Sequence, residues 1–594
     1  MTDPLSAADP LDHPDPLLAA DALAAESLLR AYVRETGTDV PATGEQLVLT
    51  MPASGVTLRV PVRHRSATGW HRFGPARLLT PDGTTAPADI ALVAAAAIRE
   101  TTQGRGAPPQ LGADAVGRVL NSAQRTAAHL TARRAEGENA AGPTPFLDSE
   151  QALLLGHPFH PAPKSREEAS AHELDVYSPE LRGSFAPHWF AVHRDELVGE
   201  SADGALETEV LRPLAEAAGL AENHLPKDTV AIPAHPWQAR EILARPQARR
   251  LLEEGSLHSL GVHGPHWYPT SSVRTVHRPD AAVMLKLSLG MRITNSRRNN
   301  LRGEMRLGVS AARLLAAGPL KWLAAEHPGF GILRDFAWVS AGRGDTETGL
   351  ETAVRDNPFH GGDTDALCVA GLLAERPGPG DGTEPGHRAL LVPAVRRTAA
   401  AHGLERAEAA SRWLLAYLDA VVTPLIRLQA RYGVALEPHH QNTLVHLAPD
   451  GLPDGGWYRD SQGYYVAASR AAELERLLPG ATDGVEIVFD DSFVDERVAY
   501  YLGINNLLGL IGAFGALGLA AEEDLLATAR GALERLRATE PGARGLLDLL
   551  LDAPVLRCKG NYLTCVDGLD ELVGDVHTQS VYIDLPNPLA EALR

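Results

Sequence analysis

Residues 271–302 have the sequence SSVRTVHRPDAAVMLKLSLGMRITNSRRNNLR. Short apolar and β-branched runs at 271–277 and 282–289 flank the triplet Arg-Pro-Asp at 278–280, whose residue types favour a turn. Two such runs on either side of a short turn predict an antiparallel hairpin. The polar residues of the same stretch indicate which chemical groups this hairpin binds.

Within the hairpin, Ser272 and Arg274 would share one face by the two-residue period, and Lys286 would lie on the partner strand. Ser, Thr and Asn alternate with arginines beyond Gly290, which favours a site that reads several carboxylate or phosphate oxygens over a plain solvated charged face. The polar residues of this second part are Arg292, Thr294, Asn295, Arg297, Arg298 and Arg302.

The basic island stands against an acidic background. The chain carries 55 Lys and Arg against 75 Asp and Glu, a formal net charge of −20 with a pI near 5.6. Nucleic-acid binders normally show a basic field, because neutralising phosphates dominates their affinity. We therefore expect no nucleic-acid partner, and any anionic substrate must be held by local cations.

Length and composition indicate a folded protein of several units. A chain of 594 residues with 44% hydrophobic residues predicts two to four packed units. Three cysteines match no zinc spacing and argue against a disulfide-stapled secreted protein. The start of the chain is acidic and Pro-rich, unlike a signal peptide, and the longest apolar stretch, 507–521, is too short for a bilayer and predicts a buried helix. We expect a cytoplasmic protein without a membrane partner.

The pattern along the chain predicts an α+β fold with mixed or antiparallel sheets, because no regular βαβ alternation is present. We expect a flexible tail over residues 1–16, an N-terminal domain over 17–140, a second domain over 146–376 and a third over 387–594. A long helix from about 405 should end before Gly433, a residue typical of helix C-termini.

A second candidate segment, GHPFHPAPKSR at 156–166, is stiffened by three prolines. It would present His160, Lys164 and Arg166 with little conformational entropy left to lose, which suits binding of a polyphosphate.

A third segment, EPHHQN at 437–442, lies between the strand-like runs 434–436 and 443–447 and precedes Arg459-Asp460. Its Glu, Gln and Asn side chains and the later Asp supply the oxygen ligands that Mg²⁺ requires, and Mg²⁺ normally accompanies nucleotide phosphates. A neighbouring His can position a carboxylate or take part in acid–base steps.

Two further segments, PAHPWQ at 233–238 and RCKGNY at 557–562, do not indicate a function by themselves. The chain also lacks the GxxxxGK[ST] phosphate loop, a Rossmann GxGxxG after a strand, HExxH and GxSxG. If ATP is bound, an uncommon architecture binds it.

Taken together, these segments resemble one family, the NRPS-independent siderophore synthetases (the aerobactin-synthetase family). The matching pieces are GHPFHPAPKSR, PAHPWQ, SSVRT, KLSLGMRITNSRR, EPHHQN, the following RD and the late KGNY, which occur in the family's order between residues 156 and 562. One position departs from the pattern: where the family usually has Gly two residues after the Arg of the first motif, this chain has Glu168.

The resemblance implies a cupped-hand shape of thumb, fingers and palm domains, usually dimeric, which binds ATP and Mg²⁺. It implies adenylation of a carboxylate, commonly on citrate, followed by attack of an amine, a hydroxylamine-bearing amine or an alcohol. The ATP-binding residues would be His160, Lys164, Arg166, Ser272, Arg274, Lys286, Glu437 and Asp460. The acid would be bound by Thr294, Arg298, Arg302, His439, Gln441 and Lys559, the metal by Glu437, Asn442 and Asp460, and catalysis would involve Lys286, Arg298 and His439.

Other interpretations remain open from the sequence. The polar loop followed about 20 residues later by an Asp resembles the layout of kinase-like phosphotransferases, and a non-catalytic binder of citrate or a ferric siderophore is a third class. Within the family, the acid could be citrate, 2-oxoglutarate, or a citrate monoamide or other acylated intermediate, and no motif reports the nucleophile. The richness of Arg and Thr at 292–302 favours free citrate.

Overall fold

The computed structural model describes residues 9–136, 142–361, 365–377, 389–571 and 579–591. Helices and mostly antiparallel sheets alternate irregularly along this part of the chain, and the α+β class is as predicted. Most of the segment between the second and third predicted domains, residues 378–386, lies outside the described part of the chain.

The N-terminal unit is a small antiparallel sheet covered by three helices. Asp15 caps the first helix through its side chain, and Gly37 ends it in the left-handed conformation at φ 67°. The elements are α1 (Pro16–Thr36), β1 (Gln46–Met51), β2 (Val56–His64), β3 (Arg72–Phe73), β4 (Arg77–Leu79), β5 (Thr85–Pro87), α2 (Ile90–Arg105) and α3 (Pro109–Ala135).

Two boundaries of this unit differ from the prediction. The tail predicted over 1–16 is wrong for its described part, because Pro10–Asp12 forms a short 3₁₀ helix with Leu11 buried. The core of the unit also contains a segment from the far end of the chain, Tyr562, Leu563, Cys565 and Val566. Residues 17–140 therefore do not close a core by themselves.

The middle of the chain is built on a six-stranded sheet. Its strands are β7 (Leu197–Ser201), β10 (Tyr268–Pro269), β11 (Thr275–His277), β12 (Val283–Leu287), β16 (Asp335–Ala341) and β17 (Thr352–Asp356). They lie in the order β10-β11-β12-β17-β16-β7, and every neighbouring pair is antiparallel. A second sheet pairs β6 (His188–His193) with both β8 (Thr229–Ala234) and β9 (Leu257–Val262), and β13 (Leu289–Ile293) pairs with β14 (Ser296–Arg298).

The predicted hairpin is present, with Thr275 opposite Lys286 and Val276 opposite Leu285. Its first strand is shorter than expected, since Ser272 and Arg274 precede β11 and lie in a turn. The remaining elements here are the helices α4 (Pro145–Glu150), α5 (Ala171–Tyr177), α6 (Arg212–Ala217), α7 (Pro236–Glu241), α8 (Pro246–Glu253), α9 (Arg302–Ala316) and α10 (Pro319–Glu326).

A four-stranded sheet crosses the boundary predicted between 376 and 387. It joins β15 (Phe330–Leu333), β21 (Pro453–Arg459), β20 (Thr443–Leu447) and β18 (Ala366–Cys368) in that order, with β15 parallel to β21. The largest apolar core accordingly includes residues from both sides of that boundary, such as Phe330 and Leu414. The second and third domains are thus fused rather than separate.

The C-terminal part is mostly helical. Its strands are β19 (Val434–Leu436), β22 (Tyr464–Ala467), β23 (Val488–Phe489), β24 (Val555–Gly560) and β25 (Val581–Pro586). Its helices, preceded by α11 (Val369–Leu373), are α12 (Leu391–His402), α13 (Arg406–Tyr417), α14 (Thr423–Tyr432), α15 (Ala468–Leu477), α16 (Asp491–Val498), α17 (Gly509–Ala516), α18 (Glu522–Thr539), α19 (Arg544–Asp552), α20 (Asn561–Val566) and α21 (Pro588–Glu591).

Two long helices of this part contain π-helical turns. A π segment at Leu418–Val422 joins α13 to α14, and a ten-residue π segment at Ala499–Leu508 joins α16 to α17. Both continuous helices, Arg406–Tyr432 and Asp491–Ala516, are long and apolar enough to cross a membrane by length and composition, yet 61% and 89% of their apolar windows are buried inside the molecule. They form the core, and the predicted end of the first at Gly433 is confirmed.

A contact between α11 and α4 tests this packing. Gly371 lies so close to α4 that a Cβ there would approach the Ser149 carbonyl oxygen to 1.9 Å. We expect Gly371→Ala to lower the free energy of unfolding by about 1–3 kcal/mol, because backbone must move to relieve the overlap. Urea unfolding followed by circular dichroism measures the change.

Gly117 on the exposed side of α3 is the matched control, since a Cβ there meets nothing within 4 Å. Gly117→Ala should raise stability by about 0.5–1 kcal/mol through helix propensity. Equal stabilities of the two alanine variants would contradict the close approach of α11 to α4.

Candidate active site

One cavity of about 830 Å³ gathers most of the predicted site residues. Its wall is supplied by the N-terminal unit, the middle sheets and the C-terminal helices together. The predicted residues that line it are His160, Lys164, Arg166, Ser272, Arg274, Lys286, Thr294, Arg298, Glu437, His439, Gln441, Asn442, Asp460 and Lys559. The cationic segment around 272–298 and the oxygen-rich segment around 437–460 thus meet in a single cleft.

Arg302 is the exception, and the prediction that it binds the acid is wrong. Its guanidinium is 2% exposed, lies 3.4 Å from the buried Glu351 carboxylate and donates to the Ala341 carbonyl at 2.9 Å. It does not line the cavity. Arg302 anchors the first turn of α9 to the sheet behind the site, a long-range pairing that composition does not reveal.

The turn at 270–274 has a strained backbone and carries Ser272 and Arg274, two residues predicted to bind phosphate. Val273 has φ 67°, a left-handed conformation that is rare for a β-branched residue. Hydrogen bonds fix it: the Val273 N–H donates to the Thr270 carbonyl at 2.8 Å, and the Thr275 N–H donates to the Ser272 hydroxyl at 3.1 Å. Strain of this kind accumulates at functional sites, and here it directs Ser272 and Arg274 into the cavity.

Glu150, at the end of α4, ties this turn to the opposite wall. Its carboxylate accepts a hydrogen bond from the Ser271 N–H at 2.8 Å and forms an ion pair with Arg459 at 2.6 Å. Both charged side chains are almost fully buried. Since Arg459 immediately precedes Asp460, one carboxylate sets the distance between the cationic turn and the oxygen-rich segment.

Lys286 projects from β12 toward that segment. Its Nζ lies 3.7 Å from an oxygen of Asp460 and donates a hydrogen bond to the Ser461 hydroxyl. Burial, with Arg274 nearby, lowers the pKa of Lys286 to about 8. Burial would raise the pKa of Asp460, but Lys286 and Arg355 hold it below its ordinary value, so the carboxylate is charged at neutral pH.

The proline-rich loop presents its two cations against a shared counter-ion. Glu180 accepts hydrogen bonds from Lys164 at 2.6 Å and from Arg166 at 2.6 and 2.7 Å, and all three side chains are buried. Burial acts to raise the pKa of Glu180, yet Arg166 and Lys164 hold it well below its ordinary value. Lys164, Arg166 and Glu180 together therefore contribute one net positive charge to the cavity wall.

Glu168, the departure from the family pattern, adopts φ 71°. That is the conformation in which glycine is favoured, so the turn after Arg166 keeps the geometry that a glycine would give. A bidentate ion pair with Arg297, at 2.5 and 2.8 Å, accompanies the strained residue. The turn is preserved, and its side chain now links the loop to the strand pair that carries Arg298.

Thr294 and Arg298 lie beside the loop, because the Thr294 N–H donates a hydrogen bond to the Ser165 carbonyl at 3.2 Å. Arg298 donates to the Thr294 hydroxyl at 3.1 Å and to the Ile293 carbonyl at 3.3 Å, and Thr294 itself has φ 56° in the β13–β14 turn. Burial lowers the pKa of Arg298, although a guanidinium stays protonated at neutral pH. A fixed, desolvated cation of this kind suits a carboxylate ligand.

The EPHHQN loop is held from behind by the π-helical segment. Asn506 donates to the Pro438 carbonyl at 2.6 Å, its backbone carbonyl lies 2.8 Å from His440 Nε2, and its side-chain oxygen accepts from the Tyr417 hydroxyl at 2.6 Å. The loop joins β19 to β20, which belong to different sheets, so it is a crossing between sheets and not a hairpin tip. Burial lowers the pKa of His439 to about 4, and the imidazole is neutral at pH 7.

The residues predicted to bind a metal are close together. Asn442 donates to an oxygen of Asp460 at 3.2 Å, and burial together with the charge of Asp460 raises the pKa of Glu437. Two buried carboxylates that repel each other beside an amide suit a hard divalent cation, which would relieve the repulsion. No group of three or more His, Cys, Asp or Glu side chains placed to hold a metal occurs among the described residues, so Mg²⁺ would keep water or substrate ligands here.

Sequence reasoning missed several residues of the site. Glu150, behind the wall, is the counter-ion of Arg459, and Glu180 is the counter-ion of Lys164 and Arg166. Glu304 caps the start of α9 beside Lys286. Tyr500, Tyr501 and Asn505 enter the cavity from the π segment, and Glu571 enters beyond α20. Only Glu304 had a local signal, its position three residues into a helix start; the others depend on contacts between remote segments.

Comparison with known proteins agrees with this geometry. A model of the IucA/IucC family matches residues 145–374, and a model described as a ferric iron reductase FhuF-like transporter matches residues 411–574. The chain is 36% identical to the rhizobactin siderophore biosynthesis protein RhbC of Rhizobium meliloti (strain 1021), over 92% of this chain and 93% of that protein. The chain belongs to the IucA/IucC family.

Two further relatives support this membership. The spermidine–citrate ligase of Bacillus anthracis is 31% identical over 95% of this chain and 96% of its own length. The structure of ATP-bound aerobactin synthetase IucA from a hypervirulent pathotype of Klebsiella pneumoniae superposes with a TM-score of 0.85 at 31% identity, covering 96% and 99% of the two chains. The predicted family is confirmed, and the chain is a ligase-type enzyme of the IucA/IucC family.

The shared counter-ion of the proline-rich loop can be tested directly. We expect Glu180→Gln to lower the free energy of unfolding by about 3–5 kcal/mol at pH 7, because it leaves two buried cations without a charged partner. The carboxylate's contribution is complete above its unfolded pKa of about 4.5 and is lost as pH falls below that value. Urea unfolding from pH 7 to pH 3 should show the variant and the parent converging.

Glu136→Gln, which removes a half-exposed partner of Arg133 and Arg182, is the control and should cost no more than about 1 kcal/mol. A Glu180→Gln protein within 1 kcal/mol of the parent would mean that Lys164 and Arg166 do not depend on this carboxylate.

Proposed function

We propose that the chain is an ATP-dependent siderophore synthetase, which adenylates a carboxylate of citrate and condenses the product with an amine. The observation that carries the proposal is the single cavity in which Arg274, Lys286 and Arg298 face Glu437 and Asp460. The relatives' names agree, since one is a spermidine–citrate ligase and a similar structure contains ATP.

The chemistry explains why the site needs both walls. A carboxylate is a poor electrophile, so its oxygen attacks the α-phosphorus of ATP, pyrophosphate leaves, and the acyl-adenylate gains AMP as a leaving group. The nitrogen of the amine then attacks the acyl carbon, AMP departs, and one proton is released. Two polyanions meet in the first step, and fixed cations must offset their repulsion.

In this proposal the residues divide between the two substrates. Ser272, Arg274 and Lys286 bind the phosphates of ATP, and the loop cations Lys164 and Arg166, with His160, close over the nucleotide. Thr294 and Arg298 bind the acid, with His439, Gln441 and Lys559 on the facing wall. Glu437, Asn442 and Asp460 would hold Mg²⁺, which when bound would neutralise phosphate charge.

The neutral imidazole of His439 can orient the acid but cannot offset its charge. With its pKa lowered to about 4 by burial, His439 offers one N–H to a carboxylate at pH 7 and adds no charge. Orientation of the acid therefore depends on His439 and Gln441, and its charge is offset by Arg298 and Lys559. Free citrate, with three carboxylates, uses this set more fully than 2-oxoglutarate or a citrate monoamide would.

The finer architectural expectations belong to the same proposal. In a cupped-hand arrangement of thumb, fingers and palm domains, the cavity would lie between the three domains, because N-terminal, middle and C-terminal elements all reach its wall. In such an arrangement, the sheet of β15, β21, β20 and β18 would join fingers and palm into one packed body. A homodimer working in the cytoplasm, where ATP is supplied, completes the proposal.

The identity of the released nucleotide tests the reaction. With ATP, Mg²⁺, citrate and an amine such as spermidine, we expect AMP and pyrophosphate in equal amounts, and citrate-dependent exchange of labelled pyrophosphate into ATP without the amine. Ion-exchange chromatography of the nucleotides separates the outcomes. ADP would instead identify a phosphotransferase, and tight citrate binding without any nucleotide turnover would identify a binding protein.

Arg298 provides the test of the substrate assignment. We expect Arg298→Ala to raise KM for citrate by about tenfold or more, the effect of losing one charged hydrogen bond, and to change KM for ATP by less than threefold. Steady-state pyrophosphate release measures both constants. Arg306→Ala, on the exposed side of α9, is the control and should leave both unchanged. Equal increases for citrate and ATP would refute the placement of Arg298 in the acid subsite.

A further inference from the structure

An amine ligase needs a third subsite, for a substrate of the opposite charge. Alkyl amines carry a proton at neutral pH, as lysine side chains do with a pKa near 10.4. The cation-rich wall that receives ATP and an acid repels such a substrate. A carboxylate that is not already neutralised is therefore required close to the acid subsite.

Most carboxylates of the described cavity wall already have a partner. Glu180 is paired with Lys164 and Arg166, and Asp460 lies near Lys286. Glu26 and Glu375 both contact Arg72, whose guanidinium is buried between them. Glu437 accepts a hydrogen bond from the Tyr465 hydroxyl and is one of the residues predicted to bind the metal. Each of these groups is committed to holding the wall together.

Glu304 also lines the cavity but caps the start of α9, and Glu486 lines it but is exposed to solvent. Glu571 differs from all of these, because it is half-buried in the cavity wall and among the described residues no Lys or Arg lies within 4 Å of its carboxylate. The Ser580 hydroxyl donates a hydrogen bond to one of its oxygens at 3.0 Å, which fixes the orientation of the side chain. The second oxygen has no such partner among the described residues.

The electrostatic neighbours of Glu571 locate it in the cavity. Its charge acts on His160 of the proline-rich loop, on Arg298 of the acid subsite and on Tyr500 of the π segment. All four residues line the same cavity, so Glu571 shares it with the acid subsite. An aromatic ring in that cavity, such as Tyr500, can add a cation–π contact to a bound ammonium ion.

We propose that Glu571, with the ring of Tyr500, binds an ammonium group of a diamine or polyamine nucleophile. The nitrogen that attacks the acyl carbon must be neutral, so a carboxylate that retains an ammonium ion serves the other nitrogen of the same molecule. The amine is thereby oriented with one end held and the other directed toward the acyl-adenylate near Arg298. This inference rests on the ligase function proposed above and names the class of its second substrate.

Two nucleophiles that share the reacting group provide the test. Butylamine and 1,4-diaminobutane differ only in the second ammonium group, and the wild-type enzyme should use the diamine with a kcat/KM roughly tenfold higher, the worth of one charged hydrogen bond. In Glu571→Gln this preference should fall to about one, through loss of activity with the diamine and not with butylamine. AMP release at saturating ATP and citrate measures all four values.

Two controls separate this inference from the function on which it rests. Citrate-dependent pyrophosphate exchange, which needs no amine, should be unchanged in Glu571→Gln; its absence from the wild-type enzyme would overturn the ligase function itself. Hydroxylamine, neutral at pH 7.5, should trap the acyl-adenylate equally well in both proteins. Asp567→Asn, four residues earlier and paired with Arg105 on the outer surface, is the matched variant and should retain the diamine preference.

A Glu571→Gln protein that keeps the full preference for the diamine would overturn the proposal. So would an equal loss with butylamine and 1,4-diaminobutane, which would place Glu571 at the reacting nitrogen or in the fold. If this variant does not fold, Ser580→Ala releases the carboxylate from its only described hydrogen-bond donor. That variant should lower the diamine preference partially and leave pyrophosphate exchange intact.

Discussion

Burial of many cations around one cavity is the constraint on which the rest of this structure depends. A lone desolvated charge is costly, so each cation of the wall requires a counter-ion or backbone acceptors at hydrogen-bond distance. Glu180 serves Lys164 and Arg166, and Glu150 serves Arg459 while it also holds the Ser271 turn. These carboxylates come from segments that bind no substrate themselves. The acidic composition of the chain thus supports a local basic site, because the acidic residues fix the cations in place.

The backbone carries a second part of this preorganisation. The strained turns at Val273 and Thr294 and the π-helical segment at Ala499–Leu508 all border the same cavity. A π turn widens a helix and changes the direction of its side chains, which here lets Asn506 hold the EPHHQN loop while neighbouring tyrosines reach the cavity. Ligand groups from the middle sheets and from the C-terminal helices are consequently fixed before any substrate arrives. Such preorganisation lowers the free energy needed to order the site on binding.

Local patterns predicted the elements that local forces specify. The helix ending at Gly433 and the hairpin of β11 and β12 follow from periodicity and turn residues, and the clustering of short polar motifs predicted which residues share the cavity. Pairing between distant residues has no such signal. Arg302 was assigned to the acid because it is an arginine in a basic stretch, whereas Glu351, 49 positions away, holds it in the core. Domain limits failed for the same reason, since a sheet joins strands on both sides of the expected boundary.

Helix α20 completes the core that α1 and α2 begin, so this core can close only after segments far apart in the sequence have been made. Glu35 at the end of α1 accepts hydrogen bonds from the Tyr562 and Leu563 N–H groups, each at 2.8 Å, and the α20 side chains fill the interior between α1, α2 and the first sheet. During synthesis the N-terminal helices leave the ribosome long before α20 exists. Their apolar faces stay incompletely covered until the α20 segment has also been synthesised. The emerging polypeptide is therefore a natural client for chaperones that shield exposed apolar surface.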